Sequence, residues 1–317
     1  MIEFLVKRLL QWIPMLLVST VVLFILIRMM PGDVVDVLAG SDASPDVVAA
    51  IRAQYGLDEP LTHQYIAWLR QFVQGNFGES LIYHRDVGSL IGTRLPYSLI
   101  LAISALIISI SIGVPAGVWA ARHKGQIPDF IVSAGSACAI AMPGFWFGML
   151  SILVFSVYLN WLPPGGSGRG FSNPLAFTAN LILPSATLAL NGVAILARFT
   201  RSAVLEVIEA DHVRTAIAKG LSARKIMRRH ILRNALVPIT TMGGMLFGRM
   251  LASAVIIETV FAWPGIGRLL VQSISNRDYG VVQAILVMMV FFFLVLNLLI
   301  DLAYGILDPR MRRRSAE

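Results

Sequence analysis

The chain has 317 residues, of which 56% are hydrophobic and 14% are charged, and its formal net charge is +8. Several apolar runs exceed the roughly 18 residues that indicate a membrane span, so the composition excludes an ordinary soluble domain and predicts an all-α integral membrane protein. The basic residues do not form one stripe of the kind that binds nucleic acid. Cys138 is the only cysteine, so a disulfide within the chain is excluded. Its position in an apolar run predicts a packed thiol.

Six apolar runs predict six transmembrane helices. The first run follows Lys7 and Arg8, is longer than the core of an ordinary signal peptide and lacks a small-residue cleavage site, which favours a retained span. The third run contains Pro143-Gly144 and is too long for a perpendicular helix, which predicts one tilted, kinked helix. The six predicted spans are Leu9–Met29, Tyr97–Ala120, Phe130–Leu159, Leu181–Phe199, Pro238–Val260 and Val281–Tyr304.

The positions of Lys and Arg predict the orientation and the division of the chain. Most of the 26 basic residues lie at one set of span ends, and cytoplasmic loops carry such an excess. Both termini and the loop between the fourth and fifth spans are therefore expected in the cytoplasm. The predicted parts are an N-terminus with the first span (1–30), an extracytoplasmic helical segment (31–96), a five-helix core (97–305) with a cytoplasmic loop at 200–237, and a basic cytoplasmic tail (306–317).

Three short helices are predicted in the extracytoplasmic segment. The first begins at Ser44-Pro45 and ends at Gly56, and the second ends before Gly75. Asp86 is expected to cap the third. The apolar positions that share a face are Tyr65, Ile66, Leu69, Phe72 and Val73 on the second helix and Val87, Leu90 and Ile91 on the third.

A polar and basic segment, Arg198–Pro238, separates the fourth and fifth spans. Asp211 is expected to cap a short helix over His212–Lys219, which Gly220 can end in the left-handed conformation. The spacing of Val213, Ala216 and Ile217 gives this helix a small apolar face, and such a helix can dock in another protein's groove. The alternative is a solvated loop whose charges only follow membrane topology.

A second helix is predicted directly after the first, capped by Ser222 and running over Ala223–Leu236. Its apolar residues Met227, Ile231 and Ala235 are four apart. Five basic residues occupy its other faces, which predicts a helix that lies at the anionic inner membrane surface. They are Arg224, Lys225, Arg228, Arg229 and Arg233.

The sequence Asp211-His-Val-Arg-Thr-Ala-Ile-Ala-Lys-Gly-Leu-Ser222 resembles the ATPase-coupling (EAA) loop of ABC importer permeases of the peptide/nickel family. Arg214-Thr215-Ala216 stand where that family's Glu-Ala-Ala triplet is often written, and Gly220 is the glycine of the motif. The sequence departs from the general motif in lacking Glu at position 214 and in the distance of Pro238 from Gly220.

Further motifs are similar to that family and follow in its order along nearly the whole chain. They are Arg8-Leu9-Leu10, Pro31-Gly32-Asp33, Tyr55-Gly56-Leu57-Asp58, Phe77-Gly78-Glu79-Ser80, Glu258-Thr259-Val260-Phe261-Ala262-Trp263-Pro264-Gly265-Ile266-Gly267, Arg277-Asp278-Tyr279 and Leu307-Asp308-Pro309-Arg310.

The resemblance implies a type I ABC importer permease fold with six transmembrane helices and a small helical extracytoplasmic insertion after the first span. It implies the first (B-type) permease of a peptide importer, in the bacterial inner membrane. The implied partners are a second homologous permease, two cytoplasmic ABC ATPases, an extracytoplasmic substrate-binding protein and the lipid bilayer, with no cofactor. The implied ATPase-coupling residues are Asp211, Val213, Arg214, Thr215, Ala216, Ile217, Lys219, Gly220 and Leu221.

The sequence carries no motif for chemistry of its own. It has no Gly-xxxx-Gly-Lys-Ser/Thr phosphate loop, so ATP is expected to be hydrolysed by another subunit. Gly166-Ser-Gly168-Arg-Gly170 lacks the spacing and context of a dinucleotide loop, and five scattered histidines show no metal-ligand spacing. The chain is therefore not expected to be an enzyme. The alternative function is a secondary transporter or channel without ATPases. This alternative does not explain why Asp211–Gly220 resembles an ATPase-coupling loop.

Two ionisable residues in the fifth span, Arg249 and Glu258, are candidate pathway residues. Arg249 lies at mid-span, where an arginine that faces lipid costs roughly 2.5–3.5 kcal/mol, so it is expected to face the bundle interior, a partner subunit or water. A structural ion pair or a hydrogen bond to backbone is the alternative for Arg249. Glu258 lies nearer the outer surface, and the alternative for it is a satisfied polar anchor. Three small-residue pairs in the spans, Gly113-xxx-Gly117, Gly144-xxx-Gly148 and Gly244-xxx-Gly248, are of the kind that lets helices approach closely, and coincidental spacing is the alternative.

Overall fold

The computed structural model of the protein describes residues 2–29, 44–54, 58–80, 82–168 and 170–307. The motif Pro31-Gly32-Asp33, the predicted helix end at Gly56, and Asp308-Pro309-Arg310 lie outside these described residues. Two compact units are formed by the described residues of Met1–Pro96 with Gly265–Val295 and of Tyr97–Pro264 with Leu296–Glu317.

The described residues are helical apart from loops and one isolated bridge between Glu79 and Asp86. Two helices contain a π-helical stretch, over Ile152–Tyr158 and over Ile226–Leu232. The helices are α1 (Ile2–Arg28), α2 (Pro45–Gln54), α3 (Leu61–Val73), α4 (Val87–Arg122), α5 (Ile127–Ala141), α6 (Gly144–Tyr158), α7 (Pro174–Ile208), α8 (Asp211–Ala218), α9 (Ala223–Val260), α10 (Ile266–Ser275) and α11 (Tyr279–Leu307).

Five of the described helices, α1, α4, α7, α9 and α11, are long and apolar enough to cross a membrane. The pair α5 and α6 passes the same test jointly and brings the number of spans to six if the pair crosses as one. Each predicted span overlaps one of these helices or the α5–α6 pair. The predicted all-α membrane fold is thus confirmed, with the predicted six spans if α5 and α6 cross as one.

The third span differs from the single kinked helix that the sequence predicts. Its two halves, α5 and α6, meet at an angle of 99°. Met142 and Pro143 both adopt extended backbone conformations between them, with ψ of 125° and 129°. Proline has no N–H to donate and disfavours the helical conformation of the residue before it, so the first helix ends and a new one starts at Gly144.

Two helices, α4 and α9, begin well before the first residues of the spans that hydrophobicity predicts. The predicted third extracytoplasmic helix is the first part of α4, and Asp86 caps it as expected, accepting a 2.6 Å hydrogen bond from the Ser89 amide. The sequence predicts that the basic helix Ala223–Leu236 ends before the fifth span begins at Pro238. This prediction is wrong, because α9 continues through Pro238. Spans tolerate an internal proline where neighbouring helices and local π-helical adjustments satisfy the freed backbone groups.

The first unit has an apolar core between the start of α4, α10 and the start of α11. Val87, Leu90 and Ile91 are buried there, as their predicted shared face requires. On α3, Tyr65 and Phe72 join an aromatic series with Phe24, Trp68 and Phe77. Ile66 and Val73 are 57% and 77% exposed, so the apolar face of α3 is narrower than predicted.

Two of the family-like motifs meet inside the first unit. Buried Ser80 donates a 2.5 Å hydrogen bond to the carboxylate of buried Asp278 and accepts one from the Tyr83 amide. The other Asp278 oxygen accepts from the Val281 amide at the start of α11. The motifs Phe77–Ser80 and Arg277–Tyr279 are therefore joined by a buried hydrogen bond, although they lie far apart in the sequence.

The second unit packs α4, α6, α7 and α9 around a core that includes Leu101, Leu196, Leu246 and Trp263, and α5 packs against α7. A Cβ at Gly117 would lie 2.4 Å from the Ala197 carbonyl oxygen and one at Gly113 would lie 2.8 Å from that of Val193. Of the two alternatives for this pair, the packing role between α4 and α7 is thus confirmed. The prediction of a packed thiol is wrong, because Cys138 is exposed.

Candidate functional site

The candidate coupling helix α8 lies between α7 and α9 and is held by a two-residue apolar face. Val213 and Ala216 are 1% and 4% exposed and belong to an apolar cluster with Val204 of α7 and Ile231 of α9. Ile217 is 60% exposed, which corrects its predicted place on this face. Ile217 follows Ala216 directly, so it is rotated by about 100° around the helix and points away from the cluster.

The start of α8 differs from the prediction. Ala210 is the N-cap residue, and its carbonyl accepts from the amides of Val213 and Arg214. Asp211 is the first helical residue and caps nothing, and its side chain is 99% exposed, 4.0 Å from the Arg214 guanidinium. Its negative charge in the first turn still favours the helix through the helix dipole.

The end of α8 is the one that the sequence predicts. Gly220 has φ of +71°, its amide bonds the Ile217 carbonyl at 2.9 Å, and the Leu221 amide bonds the Ala216 carbonyl at 3.3 Å. These two bonds and the left-handed residue between them make a Schellman motif. Lys219 is the C-cap residue, directly after the last turn. The motif returns Leu221 to the apolar cluster that holds α8.

The first turns of α9 hold α8 from the other side. The Asn234 side-chain amide donates to His212 at 3.1 Å and to the His230 carbonyl at 2.7 Å. Ile231 and Ala235 are buried in the same cluster as Val213. The apolar face that is predicted to meet the lipid surface is therefore covered by the chain itself, while contact of the exposed basic residues with lipid headgroups stays a prediction. Ser222 precedes α9 as predicted, but its side chain makes no capping bond.

The outer face of α8 is exposed and carries charge. Arg214, Thr215, Ile217 and Lys219 are all exposed on it. The adjacent start of α9 adds four exposed basic residues, Arg224, Lys225, Arg228 and Arg229. The candidate coupling residues thus divide in two: Val213, Ala216 and Leu221 hold the helix, while Asp211, Arg214, Thr215, Ile217 and Lys219 remain available to a partner.

An ion pair that the sequence analysis did not anticipate ties α5 to α7 close to α8. The Arg201 guanidinium forms two hydrogen bonds with the Asp129 carboxylate, one of them 2.7 Å from Nη2 to Oδ2. Asp129 also accepts from the Gly125 amide at 2.9 Å and is 6% exposed. The partners lie 72 residues apart, so no local sequence signal identifies the pair.

Arg249 lines a cavity of about 280 Å³ in the second unit, between α6, α7 and α9. Its side chain is exposed, and it makes no ion pair or hydrogen bond with another described residue. The ion-pair alternative therefore finds no partner in the part of the chain that the structure describes. The polar residues Thr187, Asn191 and Ser253 line the same cavity, and sequence reasoning had not singled them out.

Glu258 lies apart from this cavity in a buried hydrogen-bonded position. It is 1% exposed, and its carboxylate accepts a 2.6 Å hydrogen bond from Ser98. Its backbone carbonyl accepts from the amide of Trp263, whose indole nitrogen donates to the Tyr97 carbonyl. These contacts match the polar-anchor alternative, and a pathway role for Glu258 stays a prediction.

Comparison with known proteins identifies relatives along nearly the whole chain. Residues 113–313 match the family described as binding-protein-dependent transport system inner membrane component, and residues 1–102 match its N-terminal companion family. A glutathione transport system permease protein of Escherichia coli K12 is 39% identical over 98% of this chain and 99% of its own. A Brucella abortus 2308 protein described as a peptide transport system permease matches with the same identity and coverage.

Solved structures show the same fold. The MetNI methionine ABC transporter in an inward-facing conformation matches 69% of this chain and 96% of its own, with a TM-score of 0.57 and 19% identity. An amino acid ABC transporter with histidines matches 68% of this chain and 94% of its own, with a TM-score of 0.53 and 19% identity. The fold is therefore that of type I ABC importer permeases.

Proposed function

Because the chain belongs to the family of binding-protein-dependent transport system inner membrane components, we propose that it forms half of a peptide translocation pathway and couples it to ATPases through α8. The chain is a permease subunit of an ATP-driven ABC importer in the bacterial inner membrane, and ATP is hydrolysed by separate subunits. The alternative of a transporter without ATPases is left without support. The substrates of the proposed importer are di- or oligopeptides, since relatives are named for glutathione and for peptides.

The coupling proposal rests on the packing of α8, which has one fixed face and one exposed face. Its inner face is fixed to α7 and α9 by buried apolar contacts and by Asn234, while its outer face is exposed and basic. A groove with acidic residues on each ATPase is the complementary partner surface. A rigid helix can transmit a displacement that a flexible loop would absorb.

Displacement of α8 can reach the cavity through α9. This helix runs without interruption from Ala223, next to α8, to Val260, and it carries Arg249 on the way. The ion pair of Arg201 and Asp129 joins α5 to the same assembly. ATPase closure would thus move α7, α9 and α5 together, which is the rigid-body change that alternating access needs.

The complete importer pairs this chain with a second homologous permease, two cytoplasmic ATPases and an extracytoplasmic binding protein. The excess of basic residues at one set of span ends supports cytoplasmic termini and a cytoplasmic α8. The helices α2 and α3 then belong to the extracytoplasmic side, where a binding protein delivers substrate.

Cysteine labelling is expected to place α8 inside the cell. In a Cys138→Ser background, Ser222→Cys should react with an impermeant maleimide only after the cells are permeabilised, because ATPase docking requires the loop to be cytoplasmic. Ser44→Cys should react in intact cells. The measurement is mass-shift labelling on gels, and labelling of Ser222→Cys in intact cells would remove α8 from the reach of any cytoplasmic ATPase.

A further inference from the structure

The cavity beside Arg249 contains groups suited to an anion. Arg249 and Ser253 lie one turn apart on α9, and Thr187 and Asn191 lie one turn apart on α7. Thr187 is 3% exposed, and its hydroxyl has no hydrogen-bond partner among the described residues. None of the described lining residues is acidic. The guanidinium, the amide and the two hydroxyls can all donate to a ligand that only accepts.

The 99° break between α5 and α6 adds a second source of positive potential. Gly144 and Phe145, the first two residues of α6, line the cavity. The first amides of a helix have no acceptor within the helix, and the helix dipole places partial positive charge there. Helix ends created by breaks within a span bind anionic groups of the substrate in other transporter architectures.

The remaining wall of the cavity is apolar. Leu188, Ile195, Leu246, Met250 and Ile257 line it. A volume of about 280 Å³ lies near the lower end of the range for small-molecule sites, so the cavity suits the terminal part of a peptide better than a whole peptide. A peptide terminus combines an apolar or variable side chain with one carboxylate of fixed geometry.

We propose that Arg249 binds the carboxylate of the transported peptide, with the first turn of α6 and the polar pair Thr187 and Asn191 completing the site. This inference rests on the proposed function as a peptide permease. A carboxylate matches a guanidinium in charge and in its two parallel acceptor oxygens. The site places recognition of the C-terminal group in the membrane subunit, in addition to any selection by the binding protein.

The test uses the intact importer in proteoliposomes with ATP on the ATPase side. The probes are trialanine, glutathione and trialanine with a C-terminal amide, and the readout is initial ATP-dependent uptake. Arg249→Gln should lower uptake of the two free acids by about 10- to 100-fold, as expected for loss of a charge-assisted hydrogen bond. Uptake of the amide should change less than threefold. Comparison of the acid-to-amide ratio between variants cancels any preference of the binding protein.

Two variants control the result. Arg249→Lys keeps the charge and should retain part of the acid-to-amide ratio. Met245→Gln alters an exposed position of α9 that does not line the cavity, and it should leave the ratio unchanged.

Each remaining outcome overturns the inference and identifies what failed. An unchanged ratio in Arg249→Gln, or equal losses for acid and amide, would show that Arg249 does not bind the carboxylate, while peptide transport stands. Loss of the second permease from the purified Arg249→Gln complex would show that the guanidinium pairs with that subunit. Absence of ATP-dependent uptake of both acids by the unmodified importer would contradict the peptide function itself.

Discussion

Replacement of Gly220 by valine is expected to lower the retention of ATPase on the purified complex by roughly tenfold. Gly220 has φ of +71°, and a non-glycine residue in the left-handed region costs roughly 1–2 kcal/mol, more when it is β-branched. A Cβ there would meet no atom within 4 Å, so backbone strain, not a clash of the Cβ, is the expected cause of the effect. The strain opens the Schellman motif, releases Leu221 and frees the last turn of α8.

The chain offers a closely matched control for this change. Gly75 ends α3 with φ of +80° and the same pair of backbone bonds, from its amide to Phe72 and from the Asn76 amide to Gln71. A Cβ at Gly75 also meets nothing within 4 Å. Gly75→Val should therefore impose the same strain without changing ATPase retention. Gly220→Asn should restore retention, because asparagine tolerates the left-handed conformation.

The ATPase retained on the tagged membrane complex is measured alongside substrate-stimulated hydrolysis. Normal retention and hydrolysis by Gly220→Val would show that the shape of the end of α8 does not matter for docking. Equal losses in Gly220→Val and Gly75→Val would show that the effect is general instability.

Removal of the Asp129 carboxylate is expected to destabilise the second unit substantially. Asp129→Ala leaves the Arg201 guanidinium without either of its carboxylate bonds. Arg201→Ala leaves the carboxylate of Asp129, a residue that is 6% exposed, with only the Gly125 amide and the Ser133 hydroxyl as donors. Partners in one such network are coupled by about 0.5–3 kcal/mol. The double variant should therefore be less destabilised than the sum of the single variants, as judged from unfolding in detergent.

An exposed ion pair nearby provides the control. Lys124 and Glu209 approach to 3.2 Å with side chains that are 60% and 67% exposed. Exposed pairs of this kind contribute about 0–1 kcal/mol, so the same cycle on Lys124 and Glu209 should give nearly additive effects. Additivity within about 0.5 kcal/mol at Asp129 and Arg201 would show that the pair does not join α5 to α7 energetically.

The features that sequence analysis predicted correctly are local ones. Long apolar runs define spans whatever their neighbours are. The cap at Asp86 and the helix end at Gly220 depend on residues only a few positions apart. The intrinsic preference of each residue type settles such features, so one sequence is enough to predict them.

The features that it missed depend on distant parts of the chain or on competing local choices. The pairing of Asp129 with Arg201 and the lining of the cavity by Asn191 require the packing of whole helices. Asp211 is a good capping residue, but Ala210 takes that position because the helix begins one residue earlier. The proline at position 143 predicts a disturbance, whereas the bend of 99° follows from two successive extended residues.

Photo-crosslinking from position 217 tests most directly whether α8 docks the ATPase. Ile217 is 60% exposed on the outer face of α8, and p-benzoylphenylalanine at this position should form a covalent adduct with the ATPase subunit in the intact importer. The same group at Leu175, which is 82% exposed at the other end of α7, should form none. Irradiated complexes that contain the ATPase but show no adduct from position 217 would contradict docking through α8.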